Sequence, residues 1–224
     1  MPTRVYLVRH GATTLSAEDR FAGETDVPLS DAGREQLRLL AGRLAREPLC
    51  AVYASPMHRT LESAGILAEP HGLPVVPVPE LREISHGRWE TRTRRDVEAL
   101  WPEEYARWES DPYTFAPEGG ESGLAVTARA LPALFSLVAA QEGRAFLVVS
   151  HKATIRLLVS VLIGFDPRFY RDRLDQSPAC LNVLDFKDLS HARLTLFNDV
   201  SHYAHGAPGT PSAHLSSWWD APKR

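Results

Sequence analysis

Three short apolar runs in this 224-residue chain each end on polar residues and lead directly into a helical pattern. They are Val5-Tyr6-Leu7-Val8 before Arg9-His10-Gly11, Ala51-Val52-Tyr53-Ala54 before Ser55-Pro56, and Phe146-Leu147-Val148-Val149 before Ser150-His151. Runs this short and rich in β-branched and aromatic residues suit strands buried on both faces. The segments that follow carry apolar stripes at the spacing of one helix face. Leu37, Leu40, Ala41 and Leu44 follow a Ser30 cap in a helix expected to reach about Glu47. Leu61, Ala64, Gly65 and Ala68 belong to a helix expected to open at Ser55-Pro56, and Ile155, Leu158, Val159 and Leu162 to a third. Strands and helices alternating over short connections imply right-handed crossovers. The predicted fold is therefore an α/β three-layer sandwich, its mostly parallel central sheet covered by helices on both faces. Ligands of such sheets bind at the carboxyl ends of the strands, where the polar residues fall.

The remaining segments fit around this frame. Val75 to Val78 reads as a short, Pro-punctuated strand, and residues 180–186 and 193–197 as a hairpin that supplies an antiparallel edge. Residues 92–141 read mostly as helix, broken by Pro112, Pro117 and Gly119-Gly120, and are assigned to an insertion or lid. One domain over residues 1–205 is the economical division, with 206–224 as a tail rich in Pro, Gly, Ser and Ala. Trp218-Trp219 in that tail docks either on the domain or on a second subunit, since two indoles are costly to leave in water. A homodimer through an edge strand or the tail is compatible with the pattern.

Composition narrows the function classes. A formal net charge of -3 argues against the broad basic surface of a nucleic-acid binder. No apolar run approaches the roughly 20 residues that span a bilayer, and Met1-Pro2-Thr3-Arg4 leads into a strand rather than a signal-peptide core, so a cytoplasmic location is expected. Cys50 and Cys180 sit among apolar residues and read as buried thiols. His202 and His205 are the nearest approach to a metal-ligating pair, and no His-Glu-x-x-His is present; neither metal nor cofactor is expected.

Taken one at a time, a lone His is usually structural and an Arg in a first helical turn is usually solvated. Together, the three junctions bring Arg9, His10, Arg59 and His151 to one edge of the sheet, where potential cations repel one another unless an anion joins them. A phosphate monoester suits such a pocket, because guanidinium forks and helix N-termini both present N–H groups to its oxygens.

Ordered blocks then carry a resemblance. They are Leu7-Val8-Arg9-His10-Gly11; Arg20-Phe21-Ala22-Gly23 through Asp26-Val27-Pro28-Leu29-Ser30; Tyr53-Ala54-Ser55-Pro56 with Arg59-Thr60; Leu81-Arg82-Glu83-Ile84 with Gly87 and Trp89-Glu90; Gly119-Gly120-Glu121-Ser122; and Val149-Ser150-His151. In order and approximate spacing, from about residue 4 to residue 203, they resemble the histidine phosphatase superfamily, which is phosphoglycerate-mutase-like in fold. The resemblance implies a metal-independent phosphatase in which His10 attacks phosphorus, Arg9, Arg59 and His151 hold the phosphoryl oxygens, and Glu83 protonates the leaving alcohol. A small phosphorylated metabolite is the expected substrate. Glu83 must then hold a proton near neutral pH, which burial or a bound phosphate beside it would favour.

Several positions depart from the family pattern. Ala12 stands where Glu or Gln is frequent, and Ser16 occupies the approximate place of an Asn that in the family often touches the phosphoryl group, its hydroxyl keeping one donor for that contact. Thr91 replaces a Gly and implies a different local turn. Lys152 replaces a Gly after His151; its ammonium either meets a second acidic group on the substrate or points to solvent. His86 lies inside the Glu83 block without an assigned part. A phosphoglycerate-type mutase and a non-catalytic module that binds phosphorylated ligands are the alternative readings.

Overall fold

The structure, a computed structural model, describes residues 1–14 and 20–204. Ser16, the expected 206–224 tail and Trp218-Trp219 lie outside the described residues. The order of elements is β1 (Thr3–Arg9), α1 (Asp31–Leu44), β2 (Leu49–Ala54), α2 (His58–Ala68), β3 (Val75–Pro77), α3 (Arg94–Leu100), α4 (Pro102–Ser110), α5 (Gly123–Ala140), β4 (Ala145–Ser150), α6 (Lys152–Leu162), α7 (Tyr170–Arg173), β5 (Leu181–Asp188) and β6 (His191–Asp199). Six strands form one sheet in the order β3-β2-β4-β1-β5-β6. The first four are mutually parallel, and β5 and β6 add the antiparallel edge.

Alternation along β1 divides the core into two layers. Tyr6 and Val8, with Leu147 and Val149 of β4, pack against Leu37, Leu40 and Leu44 of α1 and Ala64 and Leu67 of α2. Val5 and Leu7, with Phe146 and Val148, pack on the opposite face against Ala130 and Leu134 of α5 and Ile155, Leu158 and Val159 of α6. Each fully buried Val, Leu, Ile or Phe among them contributes about 1.5–3 kcal/mol. By length and composition α5, with 18 residues, is apolar enough to cross a membrane. Its Val126, Ala130, Leu134 and Val138 are buried inside the fold, the pattern of a core helix.

The stretch 92–141 thus divides between two surroundings. α5 covers the sheet, while α3 and α4 contribute Val97, Tyr105 and Trp108 to a separate aromatic cluster with Phe21, Trp89 and Phe115. That cluster clamps the 20–25 loop beside the carboxyl ends of the strands.

Boundaries differ from the sequence reading at two places. α1 stops at Leu44 rather than near Glu47, because Pro48 disfavours helical angles at the residue before it. α2 opens at His58, not at Ser55-Pro56. Ser55 instead continues the β2 ladder, its N–H donating to the Val149 carbonyl at 3.0 Å.

Candidate active site

Sheet register assembles the site. Arg9 of β1 is paired with Ser150 of β4, and Ala54 of β2 with Val149. The next residues, His10, His151 and Ser55, therefore leave three adjacent strands at one edge. His10 N donates to the Ser150 carbonyl at 3.1 Å, and the His10 and His151 rings meet edge to face with centroids 5.3 Å apart.

His10 is buried, and its Nδ1 lies 2.8 Å from the Gly11 carbonyl oxygen. A carbonyl only accepts, so Nδ1 carries the proton and Nε2 keeps its lone pair. Burial, followed by the positive charges of Arg59 and Arg9, holds the imidazole well below its ordinary 6.5, leaving it neutral at pH 7. Burial, Arg59, His10 and Arg9 do the same to His151. Its Nε2 lies 2.7 Å from Ser55 Oγ. Its Nδ1 is buried with no hydrogen-bond partner among the described residues.

The two arginines are fixed by carbonyls rather than by carboxylates. Arg9 Nη1 donates to the Gln176 carbonyl at 2.6 Å, and Arg9 Nε is buried without a partner among the described residues. Arg59, in the first turn of α2, donates from Nη1 to Thr25 O and from Nη2 to Gly23 O, both at 2.8 Å. Burial lowers the pKa of each guanidinium, yet both stay charged because arginine starts so high.

Glu90 ties down the loop that supplies those carbonyls. Its carboxylate accepts from Gly23 N, Glu24 N, Thr25 N and Thr25 Oγ1, and from His86 N at 2.9 Å. Close approach is required at Gly23, where a Cβ would stand 2.0 Å from the Ile84 carbonyl oxygen.

Glu83 approaches from the loop before Trp89 and is 8% exposed. Its Oε1 accepts from Ile84 N, Thr154 N and Thr154 Oγ1, and its Oε2 from Ala153 N at 3.1 Å. The carboxyl group thus caps α6 directly after His151 and Lys152, at the positive end of the helix dipole.

Five of the predicted residues, Arg9, His10, Arg59, Glu83 and His151, therefore gather at one strand edge, with Lys152 adjoining. A family model, that of the histidine phosphatase superfamily (branch 1), matches residues 5–200. The chain belongs to this superfamily. Among its relatives is phosphoserine phosphatase 1 of Hydrogenobacter thermophilus, 33% identical over 163 residues that make up 73% of this chain and 77% of the relative. Another, named "Probable phosphoglycerate mutase" in Yersinia enterocolitica, is 34% identical over 189 residues, 83% of this chain and 86% of the relative. A solved mycobacterial glucosyl-3-phosphoglycerate phosphatase superposes with a TM-score of 0.80 at 28% identity, covering 88% of this chain and 99% of the other.

In this histidine phosphatase the departures from the family pattern have definite places. Thr91 keeps the glycine-like turn instead of a different one: its φ is 67°, held by donation from Thr91 N to Phe21 O at 2.7 Å. This left-handed geometry costs a β-branched residue about 1–2 kcal/mol. His86 is buried edge-on against Phe21, and burial lowers its pKa. Cys50 and Cys180 are free, and burial pushes the Cys180 thiol up to about 12. Among the described residues no three His, Cys, Asp or Glu side chains are grouped to hold a metal ion.

Sequence reasoning passed over three supports of the site. Local pattern marks Ser55 only as a helix start and Glu90 only as part of a block, and it leaves Gln176 unmarked. Gln176 and Asn182 bond reciprocally, and Asn182 Nδ2 donates to the Leu7 carbonyl at 2.9 Å. Asn182, an amide inside the run 181–186 that otherwise reads as apolar strand, is the signal that would have found this pair.

Proposed function

We propose that this histidine phosphatase hydrolyses a small phosphate monoester by two displacements at phosphorus. The observation that carries the reading is the buried, neutral His10, whose Nδ1–H is committed to Gly11 O and whose Nε2 lone pair is left for an electrophile. In the first displacement Nε2 forms a bond to phosphorus while the ester P–O bond breaks; the electron pair leaves on the alkoxide, which takes a proton from Glu83. In the second, water attacks the phosphohistidine and gives its proton to Glu83, and the P–N electron pair returns to Nε2. Arg9, Arg59 and His151 hold the equatorial oxygens and stabilise their charge throughout. Arg9 Nε, a buried donor lacking a partner among the described residues, supports this placement, as does the buried, unpartnered His151 Nδ1, which donates when Nε2 accepts from Ser55 Oγ. No metal enters these steps.

A free metabolite ester is the substrate class favoured here, in keeping with the relatives named for phosphoserine and glucosyl-3-phosphoglycerate. The Yersinia relative favours a second reading, transfer to another hydroxyl of a phosphoglycerate. Products separate the two: inorganic phosphate for the hydrolase, an isomerised ester for the mutase.

The test is hydrolysis of p-nitrophenyl phosphate and a metabolite panel in EDTA, by wild type and His10→Ala, with acid-quenched samples probed for an acid-labile phosphoenzyme. His10→Ala is expected to lose at least about a thousandfold in turnover and all of the phosphoenzyme. Full activity in the variant would remove His10 from the mechanism.

A further inference from the structure

Glu83 is held by an uneven set of hydrogen bonds. Its Oε1 accepts from Ile84 N at 3.0 Å and from both Thr154 N and Thr154 Oγ1 at 3.2 Å, whereas Oε2 accepts from Ala153 N at 3.1 Å alone among the described residues. Ala153 and Thr154 lie in the first turn of α6, where backbone N–H groups have no acceptor within the helix. Three of the four donors are thus backbone amides. The hydroxyl of Thr154, a fully buried residue, is the one side-chain donor among them.

The imbalance gives the two oxygens different work. Oε1 already faces three donors, so a proton added there would displace one of them, while Oε2 keeps a lone pair free. The proton bound for the leaving alkoxide therefore sits on Oε2: its O–H bond breaks as the alcohol O–H bond forms, and the electron pair stays on the carboxylate. The terminal torsion of a glutamate is intrinsically soft, so hydrogen bonds decide where that proton points. Thr154 Oγ1 reaches the backbone of the same loop as well, lying 2.9 Å from Arg82 O. Arg129 anchors that loop independently, donating from Nη1 to Arg82 O at 2.9 Å and from Nη2 to Glu83 O at 3.0 Å. The Thr154 hydroxyl is thus spare for holding the loop and singular for holding the carboxyl.

Resting on the phosphatase reading above, we infer that Thr154 is a positioning residue for the general acid: its hydroxyl fixes the Glu83 carboxyl so that Oε2 presents its proton to the ester oxygen. Esters whose leaving group carries its charge unaided, such as p-nitrophenolate, gain little from this. Esters of poorer leaving groups depend on it. Thr154 thereby sets how wide a range of alcohols the enzyme can release.

Aryl phosphates of similar size but different leaving ability isolate this effect. Values of kcat/KM, which report P–O cleavage in the first displacement, are measured for p-nitrophenyl, phenyl and p-methoxyphenyl phosphate with wild type, Thr154→Val, Thr154→Ser and Glu83→Gln. Valine matches threonine in shape and strands no buried carbonyl, since Arg82 O keeps Arg129 Nη1. The ratio of kcat/KM for p-nitrophenyl over p-methoxyphenyl phosphate is expected to rise about fivefold or more in Thr154→Val. It should stay within about twofold of wild type in Thr154→Ser and rise furthest in Glu83→Gln. An unchanged ratio in Thr154→Val, whether from no loss or from equal losses on every ester, overturns the inference, and so does a ratio as high in Thr154→Ser as in Thr154→Val. In either case a raised ratio in Glu83→Gln keeps the acid. An unchanged ratio in Glu83→Gln, or no turnover by wild type, rejects the acid itself and the inference with it.

Discussion

At His10 one hydrogen bond decides the chemistry: with Nδ1–H given to Gly11 O, the nitrogen left unprotonated is the one opposite the backbone. Arg59 depends on support of another kind, because both its hydrogen-bonded nitrogens rest on carbonyls of a loop with no regular structure. That loop is ordered by the Glu90 carboxylate, and an amide in its place turns a donor toward backbone N–H groups. Hydrogen bonds to a charged acceptor are worth about 1.5–3 kcal/mol. Glu90→Gln is accordingly expected to lower kcat/KM by about ten- to a hundredfold, mostly through KM, as Arg59 loses its orientation. Steady-state kinetics beside a thermal melt checks it; a lowered Tm with unchanged KM would reduce Glu90 to a purely structural part.

Among the elements, α1 and α6 set where the reactive side chains stand. Gly33, near the start of α1, lets the helix meet the turn after His10: a Cβ there would stand 2.1 Å from Ala12 O, and one at Gly11 would stand 2.6 Å from Gly33 O. Ser30 ties the same corner, its N–H donating to Ala12 O at 2.9 Å. Gly42, in the same helix, has nothing within 4 Å of the corresponding position. The two glycines therefore respond to alanine in opposite directions. Gly33→Ala gains helix propensity of about 1 kcal/mol but forces backbone apart, and overpacking of about 1–3 kcal/mol or more prevails. Gly42→Ala keeps the gain alone. Thermal melts should show Gly33→Ala lower and Gly42→Ala higher than wild type, and only the first should also slow turnover. Equal shifts in both variants would sink the argument.

Over the whole molecule, the buried histidines couple stability to pH. His10, His86, His151 and His202 all have folded values below 6.5, each chiefly through burial, and His202 falls to about 4. The unfolded chain takes up protons near 6.5 while the folded protein does not. Stability is therefore complete above about pH 6.5 and is lost as the pH falls below it, toward each folded value. Paired carboxylates such as Asp185, held below 3.8 by Arg4, contribute their loss only at more acid pH. Tm is expected to fall between pH 7.5 and 5, with a shallower slope in His202→Gln; a flat profile over that range would contradict the assignment.

The sequence by itself determined the alternation of β1, β2 and β4 with their helices, because apolar period and turn chemistry are local properties of Val5–Val8, Ala51–Ala54 and Phe146–Val149. It also placed Arg9, His10, Arg59 and His151 at junctions, where a strand's polar end must face an edge, while Glu83 was marked only by its resemblance to the family pattern. Only the tertiary structure decided what those residues rest on. Ser55 reaches His151 because β2 lies beside β4, Gln176 holds Arg9 across 167 residues of chain, and Glu90 reaches Arg59 through the carbonyls of a loop ordered by distant aromatics. Hydrogen-bond partners and burial depend on register and packing between segments far apart in the chain, and no local pattern encodes them.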